Sequence, residues 1–300
     1  MKNVKLKPFI KWAGGKTQLL NDIKLKYPKE LGYSINRYCE PFVGGGAILF
    51  DLLSHYSFSE IIINDINAEL INTYKQIRDN INILISYLKI IQNEFLSLSI
   101  EEKKLYYYDK RDRFNFLKIN GEENINIEKA ALFIFLNKTC FNGLFRVNSY
   151  GMFNVPMGSY SNPTICDEEN LLAVNKALNK TIILCGDYIK CLSYLDSNTF
   201  VYIDPPYRPI SMTSFTSYNE NIFGDNEQIK LEEFIKEITN KGAKVILSNS
   251  DPKNYNEDDQ FFDILYRNYN IERINAKRMI NCNGEKRGEI SELIITNYEV

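Results

Sequence analysis

Residues 37–46 read Arg37-Tyr38-Cys39-Glu40-Pro41-Phe42-Val43-Gly44-Gly45-Gly46, a strand-like run that breaks on three glycines. A strand over Arg37–Val43 that turns on glycine into a helix over Gly46–Ser54 opens a strand-helix-strand unit. Further runs of strand character stand at Glu60–Asn64, Thr181–Cys185, Thr199–Ile203, Ala243–Leu247, Phe261–Tyr266 and Ser291–Thr296. Several of them (IIIN, TIILC, FVYID, AKVILS) are continuously apolar, as strands covered on both faces tend to be. Helical spacing lies between them at Asn67–Asn80 and Asn226–Asn240. Such alternation predicts right-handed crossovers and a mostly parallel α/β sheet.

The middle of the chain differs. From about Ile81 to Lys180 the strand signals thin out. Ile81–Leu96 and Ile127–Asn137 have helical spacing, Glu101–Phe116 is charged and aromatic, and Phe141–Ser161 is studded with Gly, Asn and Ser. This pattern predicts a mainly helical insertion with a recognition loop. The expected division is residues 1–80 and 176–300 in one domain and 81–175 in another, which suits a length of 300 residues.

Composition narrows the function classes. Hydrophobic residues make up 44% and charged residues 25%, the balance of an ordinary globular protein. No apolar run reaches the roughly 18–20 residues of a membrane span. The N-terminal MKNVKLKPFIKWAGGK is basic but lacks the apolar core of a secretory signal. Six cysteines (39, 140, 166, 185, 191 and 282) contain no CxxC pair, so the expectation is free thiols in a reducing cytoplasm and no metal site. His55 is the single histidine, and any Ser-His-Asp or His-based zinc chemistry would have to be built around it. The net charge of −2 is not that of a polycation. A nucleic-acid partner would need the basic residues gathered on one face. Lys277-Arg278 and Lys286-Arg287 are candidates for phosphate contacts, with solvated surface as the equal alternative.

Glycines after a strand let backbone N–H groups approach a ligand at the strand's carboxyl end. Asp65 falls nineteen residues after Gly46, at the end of the next strand, where an acidic side chain is placed to take the hydroxyls of a ribose. NAD is excluded by its own fingerprint, because the third glycine would fall on Leu49. A glycine loop with Glu40 in the strand before it better suits a cationic nucleoside such as S-adenosylmethionine. A tight turn with a capping Asp remains the plain alternative. Ala13-Gly14-Gly15-Lys16-Thr17 resembles a phosphate loop only superficially, since Ile10 stands where its first glycine belongs.

Val201-Tyr202-Ile203-Asp204-Pro205-Pro206-Tyr207 carries the most chemistry. Two prolines fix φ and remove two backbone donors, so Asp204 and Tyr207 sit on a stiff turn at the end of a strand. A carboxylate, the Pro205 carbonyl and an aromatic face suit a planar ring bearing an amino group. That nitrogen is inert because its lone pair is delocalised into the ring. Two acceptors pulling on its hydrogens favour a tetrahedral nitrogen aimed at an electrophile, and a sulfonium methyl would give N-methylation by positioning and electrostatics. Methylation at C5 of cytosine typically requires a cysteine after proline, and none of the six cysteines follows one.

These segments resemble, in order, the Dam-type DNA adenine-N6 methyltransferases. The match is carried by Phe9–Lys16, Glu40–Gly46, Asn64–Asn67, Asn142–Asn148 with Gly151–Gly158, and Asp204–Tyr207, and it extends to Ser248-Asn249 and Ser291-Glu292-Leu293-Ile294. The resemblance implies a Rossmann-like methyltransferase core using S-adenosylmethionine, with residues 81–175 as target-recognition domain. Trp12 and Lys16 would border the cofactor and Glu40 would belong to its site, the Phe42–Gly46 loop with Gly44 and Gly46 would surround its methionine moiety, Asp65 would take its ribose, and Asp187 and Tyr188 would lie near its adenine. Asp204, also at the cofactor, would be the catalytic acceptor with Pro205, and Tyr207 the stacking ring. Lys11, Asn142, Leu144, Arg146 and Tyr160 match positions that read bases in GATC-recognising relatives. Phe141 stands where those relatives often carry Tyr, which keeps an aromatic wedge and loses a hydroxyl. On spacing alone Arg146 reads as a phosphate contact or solvated surface. The resemblance further implies double-stranded DNA as substrate, a flipped-out adenine and a cognate restriction endonuclease as candidate partner. Methylation of an RNA base or a protein glutamine is the rival within enzymes, and a DNA-binding module without catalysis the rival outside them.

Overall fold

A computed structural model describes residues 6–120, 126–209, 223–277 and 289–300. Seven strands form one mixed sheet: β1 (Arg37–Glu40), β2 (Glu60–Asp65), β3 (Thr181–Cys185), β4 (Thr199–Ile203), β5 (Lys244–Ser250), β6 (Asn270–Lys277) and β7 (Glu289–Thr296). Their order is β3-β2-β1-β4-β5-β7-β6. β1 is parallel to both β2 and β4, with Arg37 level with Glu60 and Thr199, and β4 is parallel to β5. β7 runs antiparallel to β5 and β6. The α/β class follows the sequence pattern, with an antiparallel pair at one side of the parallel strands. The run FVYI of β4 is buried throughout, as a central strand must be.

The described residues fall into two compact units. One comprises those of Met1–Gly15, Val43–His55 and Asn64–Asp187, and the other those of Lys16–Phe42, Tyr56–Ile63 and Tyr188–Val300. The second unit holds the short α1 (Leu20–Lys24) and most of the sheet. The first unit contains α2 (Ala47–His55), α3 (Ala68–Asp79), α4 (Ile81–Ser97), α5 (Ile100–Asn120), α6 (Ile127–Thr139) and α7 (Glu168–Leu178). Its centre is α6, in which every residue from Ala130 to Asn137 is buried. Asn67 and Asn126 start α3 and α6 by accepting the N–H groups of Leu70 and Lys129, the expected N-cap geometry. In the second unit α8 (Asp225–Asn240) buries Leu231, Phe234, Ile235 and Ile238. Among the described residues no helix is long and apolar enough to cross a membrane. Arg278, Lys286, Arg287 and Cys282 lie outside the described residues, and so does the side chain of Lys277.

One expected strand is a helix. The apolar pattern of Phe261–Tyr266 predicts an extended segment, yet Phe261–Leu265 forms α9. The buried pair is Phe262 and Tyr266, four apart and stacked with ring centroids 6.2 Å apart, while Ile264 between them is 62% exposed. A strand would put all three on one face, whereas a helix puts only the (i, i+4) pair there. Asp259 starts the turn by accepting the Phe261 N–H at 2.9 Å. The strand that belongs to this region comes next, at Asn270–Lys277. Its sequence NIERINAK is too polar to announce itself, and it forms because β7 offers a ladder. Replacing Phe262 with Ala is expected to cost about 3–5 kcal/mol in urea unfolding. Ile264→Ser should stay within about 0.5 kcal/mol of the parent.

Candidate active site

The first unit carries the glycine loop. Gly44 and Gly46 have φ of +47° and +73°, conformations that favour glycine. Space forbids a side chain as well: a Cβ on Gly44 would stand 2.8 Å from Trp12 Cδ1, and one on Gly46 2.6 Å from the Tyr74 hydroxyl. The loop is fixed by Val43 N–H donating to the Asn64 carbonyl at 2.9 Å. Asp65, at the end of β2, accepts the N–H of Gly44 at 3.0 Å through Oδ2 and that of Asn67 at 2.9 Å through Oδ1. Burial pushes the Asp65 carboxyl above its ordinary value, against the pull of those N–H groups. The Ile66 N–H bears on the same carboxylate, which still has acceptor capacity left because a carboxylate offers about four acceptor sites. Asp65 is therefore a turn cap that can still accept hydroxyls. Asp187 is exposed.

The same unit brings the expected base-reading residues together. After α6 the chain makes a 3₁₀ turn at Phe141–Gly143 with Asn142 at φ 55°, the one described non-glycine residue with positive φ. Phe141 is 52% exposed. Leu144 is half-buried, and Arg146 is exposed with its Nε donating to the Asn154 side chain at 2.9 Å. Lys11 Nζ donates to the Tyr160 hydroxyl at 3.1 Å and lies 4.5 Å from that ring's centroid. Trp12 stacks on Phe145 with centroids 5.8 Å apart.

Buried asparagines, which the sequence reading overlooks, hold this assembly. The carboxamide of Asn137 accepts the Lys11 N–H at 2.8 Å and donates to the carbonyls of Lys11 at 2.8 Å and Gly143 at 2.9 Å. Asn115 on α5 accepts the Phe153 N–H and donates to its carbonyl at 2.8 and 3.0 Å, and Asn170 on α7 does the same for Lys7 at 3.2 and 3.0 Å. The available signal is a polar residue inside an apolar helical run, ALFIFLNKT for Asn137.

The second unit carries the proline corner. β4 ends at Ile203, so Asp204 leaves the sheet at the carboxyl end of a central strand. Asp204 Oδ1 accepts Lys16 Nζ at 2.7 Å and the Ser248 hydroxyl at 3.3 Å, and Ser248 in turn shares a 2.8 Å hydrogen bond with Tyr202. Lys16 Nζ also donates to the Tyr207 hydroxyl at 2.7 Å, and the Tyr207 hydroxyl donates to Glu292 Oε2 at 2.9 Å. Burial raises the Asp204 carboxyl above its ordinary value, while the Lys16 ammonium and the Ser248 hydroxyl draw it back. Burial, with the carboxylates of Asp204 and Glu292, pushes the Tyr207 phenol far up and keeps it neutral. The corner is braced from outside: Arg208 forms ion pairs with Asp225 and Asp259 at 2.6 and 2.7 Å, and Gln228 donates to the Pro206 carbonyl at 3.3 Å. Glu40, 3% exposed, accepts the Tyr38 hydroxyl at 2.7 Å. Phe42 packs on Tyr188 at 5.3 Å, and Tyr188 packs edge-on against Phe234.

A carboxylate and a neutral phenol that converge on one N–H-bearing nitrogen can bind an amine and withdraw its hydrogens. The family described as D12 class N6 adenine-specific DNA methyltransferase matches residues 12–280, and the chain belongs to it. It is an adenine-specific DNA methyltransferase. It is 50% identical over 298 residues to the type II methyltransferase M.MjaIII of Methanocaldococcus jannaschii, covering 98% of this chain and 100% of that protein. It is 39% identical to the type II methyltransferase M1.LlaDCHI of Lactococcus lactis subsp. cremoris, over 98% of this chain and 96% of the other. A DNA adenine methylase of Haemophilus influenzae is 33% identical over 97% and 93%. The rival substrates, RNA bases and protein glutamine, give way to DNA adenine.

Removing the Asn137 clamp leaves the Lys11 N–H, the Lys11 carbonyl and the Gly143 carbonyl without this partner. Asn137→Ala is expected to lower stability by about 1–3 kcal/mol, measured by thermal and urea unfolding.

Proposed function

We propose that the chain uses S-adenosylmethionine to methylate N6 of adenine in double-stranded DNA, within GATC, after the target base leaves the helix. The carrying observation is that Asp204 and Tyr207 each hold one nitrogen, Lys16 Nζ, at 2.7 Å. The corner is thus already shaped to take N–H donors. The donor set favours this cofactor over a phosphorylated one: the carboxylates of Glu40 and Asp65 accept hydroxyl and ammonium groups and repel phosphate, and Trp12 stands directly against the glycine loop. S-adenosylmethionine supplies an electrophilic methyl on a positively charged sulfur.

The residues divide the work as follows. Asp65 accepts the ribose hydroxyls, Glu40, Phe42, Gly44 and Gly46 line the methionine side, and Trp12, Asp187 and Tyr188 flank the remainder. Asp204 and the Pro205 carbonyl accept the two N6 hydrogens, and the Tyr207 ring stacks on the base. The Asp204 carboxylate would stabilise the positive charge that develops on the target nitrogen as it takes the methyl, before its proton is lost to solvent. Flipping the base costs a few kcal/mol, and Phe141, exposed on its turn, is suited to fill the vacated stack. Lys11, Asn142, Leu144, Arg146 and Tyr160 read the neighbouring bases, with residues 81–175 as target-recognition segment. The type II names of two relatives make a cognate endonuclease acting on the same site a partner to look for.

In a labelled-methyl assay over DNA, RNA and protein, only duplex DNA is expected to take label, at adenine. Asp204→Ala should lose turnover by a factor of about a thousand or more while DNA affinity is kept; an active variant would refute the assignment. The required form of Asp204 is the anion, so activity is lost as pH falls through its raised value. The acidic limb of kcat should therefore lie above the ordinary Asp value of about 3.9. Lys16→Met, measured at saturating donor, should move that limb further up. Arg146→Ala is expected to relax sequence preference by about 1–3 kcal/mol at one base pair; a uniform loss on all sequences would place Arg146 on phosphate.

A further inference from the structure

The Lys16 ammonium is where the target amine has to go. It is 4% exposed and sits between the Asp204 carboxylate, at 2.7 Å from Oδ1, and the Tyr207 hydroxyl, also at 2.7 Å. An amine nitrogen that enters between Asp204 and Tyr207 displaces the ammonium from that place. A buried ammonium released without a new partner is costly. A second carboxylate is already beside it. Glu292 Oε2 lies 3.8 Å from Lys16 Nζ, so an approach of about 1 Å makes a full hydrogen bond. Glu292 comes from β7, opposite Ser250 of β5, and is an acid inside the apolar strand ISELIIT.

The same oxygen orders the stacking ring. The Tyr207 hydroxyl has one proton, and it points at Glu292. Its lone pairs therefore face Lys16, from which it accepts at 2.7 Å. The ring follows two prolines and is 38% exposed, so the hydroxyl tether limits how far it can swing.

We propose that Glu292 is a positioning residue for methyl transfer: it tethers the Tyr207 ring and receives Lys16 when the target amine takes over Asp204. This rests on the assignment of Asp204 and Tyr207 as the amine-binding corner. Glu292 touches neither reactant, and it acts through Lys16 and Tyr207. Neutralising it leaves the ammonium committed to Asp204 and loosens the ring. Catalytic turnover should suffer while ground-state binding is spared.

The test is single-turnover kinetics at saturating S-adenosylmethionine and duplex DNA, with Glu292→Gln beside the parent. Turnover is expected to fall by about ten- to a hundredfold, the scale of a misplaced reactive group, with the affinity for each ligand within about twofold. The acidic limb of the pH profile should move down, because a negative neighbour of Asp204 has been removed; a merely structural residue would not move it. In the Lys16→Met and Tyr207→Phe backgrounds the further loss from Glu292→Gln should shrink, because each removes one of the two groups through which Glu292 acts. Glu292→Asp, which keeps the charge one methylene short, should fall between Gln and the parent, and serves if the Gln variant does not fold. Parent-like turnover of Glu292→Gln, or a loss undiminished in both backgrounds, would overturn the proposal. Asp204→Ala run in parallel separates the two levels. If it is inactive while Glu292→Gln is normal, the positioning role alone fails; if it is active, the amine-binding corner itself fails.

Discussion

An ammonium group that is 4% exposed needs acceptors on several sides, and Lys16 finds them in the Asp204 carboxylate and the Tyr207 hydroxyl. That arrangement sets the demands on everything around it. Asp204 must stay ionised although burial raises its carboxyl, so Ser248 donates to it from β5 and is itself held by Tyr202 of β4. Tyr207 must stay neutral and directed, so its proton goes to Glu292 on β7. The stiffness of two prolines keeps Asp204 and Tyr207 from relaxing away from the charge. The order β4-β5-β7 delivers all these groups to one end of the sheet. The antiparallel course of β7 matters for function, because it lays Glu292 level with Ser250, at the carboxyl end of β5.

The parts legible in the sequence are those governed by local rules. Thr181–Cys185 and Thr199–Ile203 are strands with the expected limits because unbroken apolar runs bounded by polar residues have few other uses. Asp204-Pro205-Pro206-Tyr207 stands where a strand ends because proline cannot continue a ladder. What escapes depends on partners distant in sequence. The segment Phe261–Tyr266 is apolar enough for either element, and only the exposure of Ile264 between two buried rings shows the helix. NIERINAK is a strand by virtue of β7 rather than of its own composition. Glu292 reads as one residue of a tail motif, since the lysine and tyrosine it serves lie far away in the chain. Asn137 reads as the last residue of a helical run, since its partners at Lys11 and Gly143 become visible only in three dimensions.

The two sets of residues, one in each unit, differ in how they are built. The proline corner is assembled from strands, charges and hydroxyls. The glycine loop and the base-reading residues depend on close approach, with Trp12 and Tyr74 occupying the volume that side chains at Gly44 and Gly46 would take. Substitution of a charge in the first set changes protonation and direction. A carbon added at Gly44 or Gly46 meets an aromatic residue first.

Among the described residues no strand pairs with the N-terminal stretch 6–15; the carboxamides of Asn137 and Asn170 hold Lys11 and Lys7 instead. A neighbouring strand can slide by two residues and recover its pattern of donors and acceptors. A single carboxamide cannot, because it presents one donor-acceptor face to the N–H and C=O of one residue. The three residues between these two clamps, Pro8, Phe9 and Ile10, therefore form a measured span. Lengthening or shortening it by even one residue would leave a clamp closed on the wrong residue, with no alternative alignment to fall into.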